Sequence, residues 1–248
     1  MANTLVQSPT ATGIVNGTTV NLAFASGGTV GSLYIAVVTL EGTNTITSVV
    51  DDRNGSWGAA DVTVSSGAVG SGSGTTAFFS VANTSTSIAT VTLTCSAGSY
   101  AAFDIFEITS PGGTPTLDST GSGSGDGTAR TATCTTVAAN CSVFAGTTHY
   151  TGDAVVDSGY TEMYTYGAIN TAYHYGEYLI DAGAAGAKTL NFEEPDTSDG
   201  WSIAIAAYAP FSAGGGVVNA RNGIALSGIS AINGITKTGI SHINGLTI

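Results

Sequence analysis

The 248-residue chain carries 17 acidic and 5 basic residues, which gives a formal net charge of −12, and charged residues make up only 9% of it. Nucleic acid and anionic membranes are excluded as expected partners, because their negative charge would repel such a chain. The 35 glycines and the hydrophobic share of 42% favour a large β domain over a helical bundle or a disordered chain.

The N-terminal residues 1–9 have neither the basic nor the apolar region of a secretory signal. No apolar run approaches the ~18 residues that cross a membrane as a helix. We therefore expect a protein that is made in the cytoplasm, stays soluble and has no membrane span.

Strand-forming runs recur along the chain at intervals of about ten residues, separated by Gly, Ser, Asn or Asp, as in sandwiches and barrels. The predicted strands cover residues 18–26, 31–40, 45–51, 75–82, 88–95, 100–109, 114–119, 128–137, 140–147, 161–166, 172–181, 188–192 and 201–209. No segment keeps a helical apolar period over three turns. The sequence therefore predicts an all-β fold, a jelly-roll-like sandwich of two antiparallel sheets.

The chain repeats its strand pattern in two halves. The matching segments are 33–37 with 141–145, 77–81 with 173–179, 91–93 with 188–190, and 100–108 with 201–209. Two units with one plan predict a sandwich in which each half covers the apolar face of the other. Neither half should then fold well alone.

The sandwich is predicted to occupy residues 1–212, and residues 213–248 form a glycine-rich linker followed by an arm. In the arm, Asn222-Gly223-Ile224 recurs eleven residues later as Asn233-Gly234-Ile235 and again as Asn244-Gly245-Leu246. The two glycines in each repeat and the many β-branched residues disfavour a helix. Asn-Gly favours tight turns, so the pattern predicts short β-strands.

Such an arm is too thin to bury its own isoleucines, and repeats of this kind gain stability by stacking on neighbours. The predicted partner-binding residues are Ile224, Ile229, Ile232, Ile235, Ile240 and Ile243. Each would contribute about 1.5 to 3 kcal/mol when buried, and unpaired strand edges would add hydrogen bonds. We expect self-association or anchoring through this arm.

Several strand-end motifs resemble a known group. Residues 31–37 and 46–57, the tripeptide Phe106-Glu107-Ile108 and the strand that begins at Trp201 are similar to jelly-roll domains in virion proteins of tailed bacteriophages and in some bacterial surface proteins. The likeness spans nearly all of residues 20–210, and the Ile-Asn-Gly repeats resemble short repeats at the ends of phage structural proteins.

This resemblance implies a structural virion protein, assembled in the host cytoplasm and located on the virion, that needs no cofactor. A capsid decoration protein is the first expectation, with a major capsid protein or another virion protein as its partner. A tail or head-fibre subunit is the close alternative.

Catalytic motifs are not found. The sequence contains no G-x-S-x-G, no P-loop and no H-E-x-x-H motif, and we expect no enzymatic activity. His149, His174 and His242 lie far apart, which favours surface or hydrogen-bonded histidines over a metal site. Cys95, Cys134 and Cys141 form an odd set without C-x-x-C, which favours buried thiols, although Cys134 and Cys141 flank a turn and could pair under oxidation.

Two acidic loops, 51–56 and 193–199, carry oxygen ligands that Ca²⁺ would accept. The same residue types are also those that turns require, and turns are the favoured interpretation.

Aromatic residues support a rival function. Trp57, Tyr173 and Tyr175 could form a sugar-stacking platform, which would make the chain a carbohydrate-binding module that adheres to host polysaccharide. The favoured interpretation is that these rings fill the core and cross-strand pairs. Trp201, at the start of an apolar strand, is expected in the core.

Overall fold

The computed structural model describes residues 1–8, 12–42, 44–66, 74–126, 130–150, 156–169, 172–192, 200–211, 242–243 and 246–247. The strands in these ranges are β1 (Thr4–Gln7), β2 (Thr12–Ala23), β3 (Leu33–Glu41), β4 (Ile46–Asp51), β5 (Gly55–Ser56), β6 (Val62–Ser65), β7 (Gly74–Ala82), β8 (Thr90–Thr109), β9 (Thr116–Asp126), β10 (Thr131–Thr136), β11 (Ser142–His149), β12 (Thr161–Ile169), β13 (Ala172–Leu179), β14 (Gly186–Asn191), β15 (Gly200–Ala209), β16 (His242–Ile243) and β17 (Leu246–Thr247). The described ranges contain no helix, which confirms the all-β prediction.

Strands β1 to β8 form one sheet in the order β5-β4-β8-β3-β7-β6, and β1 and β2 also pair with β8. In the second half of the chain, a sheet has the order β12-β13-β11-β15-β9, and β10 pairs with β14 beside it. Every one of these pairings is antiparallel.

The predicted repetition is present in the strand pairing. Strand β3 lies between β7 and the second part of β8, and β11 lies between β13 and β15 in the same way. The strand before each central strand also pairs outside the central trio, since β2 pairs with β8 from Thr90 to Phe103 and β10 pairs with β14. The two halves therefore share one topology.

Three apolar cores stack through the sandwich. The first lies within the first half and includes Tyr34, Phe79, Leu93 and Phe103. The middle core joins the halves, and the third lies within the second half around Trp201. The central pair of sheets forms the predicted two-sheet sandwich, and each half adds an outer layer. Strands β3 and β15 are consequently buried on both faces, as continuous apolar runs indicate.

Contacts between the halves are both aromatic and polar. The ring of Phe144 in the second half lies 5.0 Å from that of Phe106 in the first, between centroids. The Tyr208 hydroxyl donates to Asp61 Oδ2 at 2.7 Å, and Asn3 Nδ2 donates to the carbonyl of Tyr208 at 2.9 Å. As predicted, each half covers an apolar face of the other.

Strand β9 is longer than the predicted strand. It continues through a Ser-Gly repeat, which the composition had suggested was a loop. Its glycines let neighbouring groups approach the strand closely. A Cβ on Gly123 would lie 2.5 Å from the carbonyl oxygen of Thr131 and 3.2 Å from the Trp201 ring. The absence of side chains here allows β10 and the indole to pack directly on β9.

This close approach predicts that Gly123→Ala destabilises the protein by about 1 to 3 kcal/mol, as overpacking does in other cores. The matched variant Gly125→Ala should cost less, since the atoms nearest to its Cβ would be those of the Trp201 side chain, the closest at 3.3 Å. Chemical denaturation of both variants measures the difference. Equal stabilities would contradict the proposed role of Gly123.

The chain divides into two units, residues 1–210 and residues 211–248. Within the second unit, β16 pairs with β17, and Ile243 lies opposite Leu246. These two strands flank Asn244-Gly245, as the repeat predicts for short strands joined at Asn-Gly. The predicted linker and most of the repeats lie outside the described residues.

Candidate binding groove

A groove with a volume of about 470 Å³ opens in the first half. Strand β4 and the segment that follows β5 form one wall, and β6 and β7 form the other. The lining residues are Asn44, Thr45, Ile46, Thr47, Ser48, Gly58, Ala59, Ala60, Thr63, Ser65, Thr75, Ala77 and Phe79. Strand β8 links the two walls, because it pairs with β4 and also with β3, the neighbour of β7.

The walls of the groove are neutral, and no lining residue is charged. Ile46, Ala60, Ala77 and Phe79 provide apolar surface, and all four pack in or against the first core. Most of the remaining lining residues carry short hydroxyl side chains. Without a titratable group, this lining suits binding of a neutral chain better than acid–base chemistry.

Both walls also present strand edges. Strand β6 is the last strand of its sheet, and β4 pairs with β5 only at Val50 and Asp51. The edge of β4 from Ile46 to Ser48, which faces away from β8, therefore has no strand partner among the described residues. Such an edge accepts an added strand through main-chain hydrogen bonds.

The acidic loop after β4 is organised by its own hydrogen bonds. Asp51 Oδ1 accepts hydrogen bonds from the amides of Arg53 at 2.7 Å and Asn54 at 2.6 Å. Its Oδ2 accepts one from Trp57 Nε1 at 2.7 Å. Protein donors already occupy the carboxylate, so a cation would have to displace them. This supports the turn interpretation over the calcium alternative; the second acidic loop, 193–199, lies outside the described residues.

The structure does not present the aromatic platform that the sequence suggested as an alternative. The side chain of Trp57 is 5% exposed and that of Tyr175 is 1% exposed. Trp57 packs in the first core near Tyr34, and Tyr175 packs against Phe192 in the third. Only Tyr173 is partly exposed, and it stacks on His149. A sugar could not stack on the two buried rings, and of the three candidate residues only Tyr173 remains accessible.

The histidines of the sandwich are interior groups. His174 is buried between the halves, and its Nδ1 lies 2.9 Å from Thr39 Oγ1. Burial lowers the pKa of His174 to about 3, with a smaller effect from nearby His149. His174 therefore stays neutral at physiological pH. The prediction of a hydrogen-bonded histidine is confirmed for this residue, while His242 lies in β16.

The buried acid Glu177 was missed by sequence reasoning. It lies on β13, has no exposed surface, and accepts a hydrogen bond at Oε2 from the Asp157 amide at 2.8 Å. Burial raises the pKa of Glu177 to about 7; the hydrogen bond lowers it and the charge of Asp157 raises it. The pKa of Tyr160 is raised to about 12, mainly by burial of Tyr160 and to a smaller extent by the charge of Glu177. The motif Tyr175-Gly176-Glu177-Tyr178 gives no signal of this burial.

The remaining candidate residues divide into two groups. Five predicted arm residues, Ile224, Ile229, Ile232, Ile235 and Ile240, lie outside the described residues, and the sixth, Ile243, is in β16. All three cysteines are free and buried, which confirms the prediction of buried thiols. Burial, aided by the charge of Asp118, raises the pKa of Cys141 to about 12.

Within the described part of the chain, no cluster of three or more His, Cys, Asp or Glu side chains is arranged to hold a metal ion. None of its segments is a helix of the length and apolarity that would cross a membrane.

The fold and the groove define an all-β sandwich protein with an open strand-edge groove. Comparisons of the chain with protein-family models, curated proteins and solved structures gave no significant match. Its function must therefore be inferred from the chain itself.

Proposed function

We propose that the chain is a non-enzymatic structural protein of a virion, a capsid decoration protein that is anchored or joined to other copies through its C-terminal arm. The resemblance of residues 20–210 to jelly-roll virion proteins supports this assignment. A tail or head-fibre subunit would use the same fold and arm. In either case the partners are a virion protein, such as the major capsid protein, and further copies of the chain.

The observation that carries this proposal is the pairing of β16 with β17 inside the eleven-residue repeat, with Ile243 opposite Leu246. A two-stranded hairpin is only marginally stable alone in water. A series of such units gains stability when its apolar residues are covered by a neighbour. An arm of this type is therefore suited to assembly.

The buried carboxylates in the first half also support a structural role. Glu107, which is fully buried, accepts hydrogen bonds from Gln7 Nε2 at 2.5 Å, the Thr29 amide at 2.6 Å and Ser32 Oγ at 2.7 Å. It ties β1 to the loop before β3. Asp51 similarly organises its own turn. These acids serve the fold by accepting hydrogen bonds from protein donors, as buried charges generally must.

The polysaccharide-binding alternative, which the sequence based on Trp57, Tyr173 and Tyr175, loses two of its three candidate rings, those of Trp57 and Tyr175. Both side chains are buried.

The proposal is tested by measuring the mass of the full chain in solution by light scattering, beside a version that ends at Ser212. We expect a discrete oligomer for the full chain and a folded monomer for the truncation. Within the full chain, Ile229→Asp with Ile240→Asp should also give a monomer, since a buried unpaired charge is costly. Ile88→Asp is the matched control, because Ile88 is exposed on the sandwich. Monomers for both full and truncated chains would refute self-association through the arm.

A further inference from the structure

We infer that the groove between β4 and β6 is the acceptor site for the arm of a second copy, which adds residues 224–227 as a strand. This inference rests on the proposed function, because it requires that the arm mediates assembly. It adds the site at which the arm binds and the form in which it binds.

The shape of the groove fits a short strand. The two walls present β4 from Ile46 and β6 from Val62 to Ser65, each only a few residues long. Four residues of extended chain span roughly 13 Å. In the arm, successive glycines are separated by four or five residues, as in Gly223-Ile224-Ala225-Leu226-Ser227-Gly228. The spacing of the repeat matches the length of the edges.

The chemistry of the groove fits the same segment. In residues 224–227, Ile224 and Leu226 fall on one face of a strand, and Ala225 and Ser227 fall on the other. The apolar face would cover Ile46 and Ala60, the partly exposed apolar residues of the lining. The small face would lie towards solvent and the hydroxyl side chains of the rim.

The charges of the two partners also agree. No residue that lines the groove is charged, although the chain as a whole carries −12. Residues 222–248 are nearly neutral, and Lys237 is their one charged side chain. An acidic peptide would be repelled by the whole protein, and a basic peptide would find no partner in the groove. A neutral Ile- and Ser-rich strand meets neither obstacle.

The choice of a second copy follows from the form of the assembly. If each copy donates its arm and accepts another, the contact is heterologous and can either close into a ring or extend as a fibre. The added strand would also cover the groove and protect two strand edges from unregulated pairing.

The test uses two full-length variants of different mass, each with one added cysteine, since the three native cysteines are buried. One carries Ser65→Cys in the groove and the other carries Ala225→Cys in the arm. After mixing and treatment with a short thiol cross-linker, we expect a covalent dimer that contains one copy of each. Thr135→Cys, on an exposed position of β10, replaces Ser65→Cys as the control and should give little product.

A second experiment uses bulky substitutions that fill the groove. Thr63 and Ser65 are exposed lining residues, and Thr63→Trp with Ser65→Trp should raise the dissociation constant of the assembly roughly tenfold or more, the equivalent of losing one buried isoleucine. Thr135→Trp should leave it unchanged. Equal cross-linking of Ala225→Cys to Ser65→Cys and to the control Thr135→Cys would overturn the inference.

These experiments distinguish docking of the arm in the groove from assembly through the arm at any site. If the tryptophan variants assemble as the native chain does while the chain ending at Ser212 is monomeric, the arm mediates assembly at a different site. If the native full chain is itself monomeric, the proposed self-association fails first, and the groove inference fails with it.

Discussion

Replacing Phe144 by alanine should destabilise the protein by about 3 to 5 kcal/mol, the range for large-to-small changes of buried aromatic residues. Phe144 is fully buried in the core that joins the halves. Its ring centroid lies 5.0 Å from Phe106, 5.9 Å from Tyr178 and 6.0 Å from Tyr208. The change removes these aromatic contacts and leaves a cavity between two sheets that cannot close it independently.

The informative measurement is hydrogen exchange in addition to denaturation. Phe144 belongs to the second half, yet its removal should also increase exchange of the β3 and β8 amides in the first half, because β3 is buried between two cores. Val137→Ala is the control. Its side chain is 84% exposed, so it should change stability by no more than about 0.5 kcal/mol. Unchanged exchange in the first half would show that the halves fold independently.

Much of the fold was predictable from the sequence because apolar runs and turn residues specify it locally. The continuous apolar run that became β3 predicted a strand buried on both sides. The similarity between its neighbours and those of β11 predicted a repeated topology. Both rest on patterns that a chain must show to place strands in the interior of a sandwich.

The errors concern places where tertiary contacts override the local pattern. Glycine disfavours strands, so the Ser-Gly run of β9 suggested a loop. The crossing of β10, which needs a surface without Cβ atoms, is what makes the glycines suitable there. Similarly, β8 continues through a segment that reads as a turn, and Ser96 exchanges hydrogen bonds with Thr45 there.

The candidate site was less predictable than the fold. Aromatic residues suit both a core and a ligand platform, so the sequence could not establish the burial of Trp57 and Tyr175. On β13, alternation correctly separates His174 from the tyrosines, yet both faces of the strand are buried between two cores. The groove depends on the edges of β4 and β6 lying across from each other. Nothing local in the chain indicates that arrangement.

The contribution of Glu177 to the stability of the native chain should fall as pH rises from about 4.5 to about 7. In the unfolded chain this carboxyl ionises near its ordinary pKa, whereas burial keeps it protonated in the fold until about pH 7. The folded state thus binds more protons in this window, and each deprotonation favours unfolding. A shift of this size corresponds to at most about 3 kcal/mol above pH 7.

Glu177→Gln should remove this contribution. The amide oxygen of glutamine can still accept the hydrogen bond from the Asp157 amide, and no ionisation is required. We expect the variant to match the native chain near pH 4 and to exceed its stability by up to about 3 kcal/mol at pH 8, measured by denaturation across that range.

Glu162→Gln is the matched control for this effect. Glu162 lies opposite Glu177 in the strand register but is exposed, so solvent screens its charge and its removal should leave the pH profile nearly unchanged.

Other buried groups titrate in both the native chain and the Glu177→Gln variant, so their effects cancel in the comparison. Burial lowers the pKa of His174 to about 3, so the contribution of His174 to the stability of the protein falls as pH drops below the ordinary histidine pKa of 6.5. Burial raises the pKa of Asp104, which adds a loss of the same sign as that of Glu177. If Glu177→Gln and the native chain have the same pH profile, Glu177 is ionised in the fold and its carboxylate is reached by solvent.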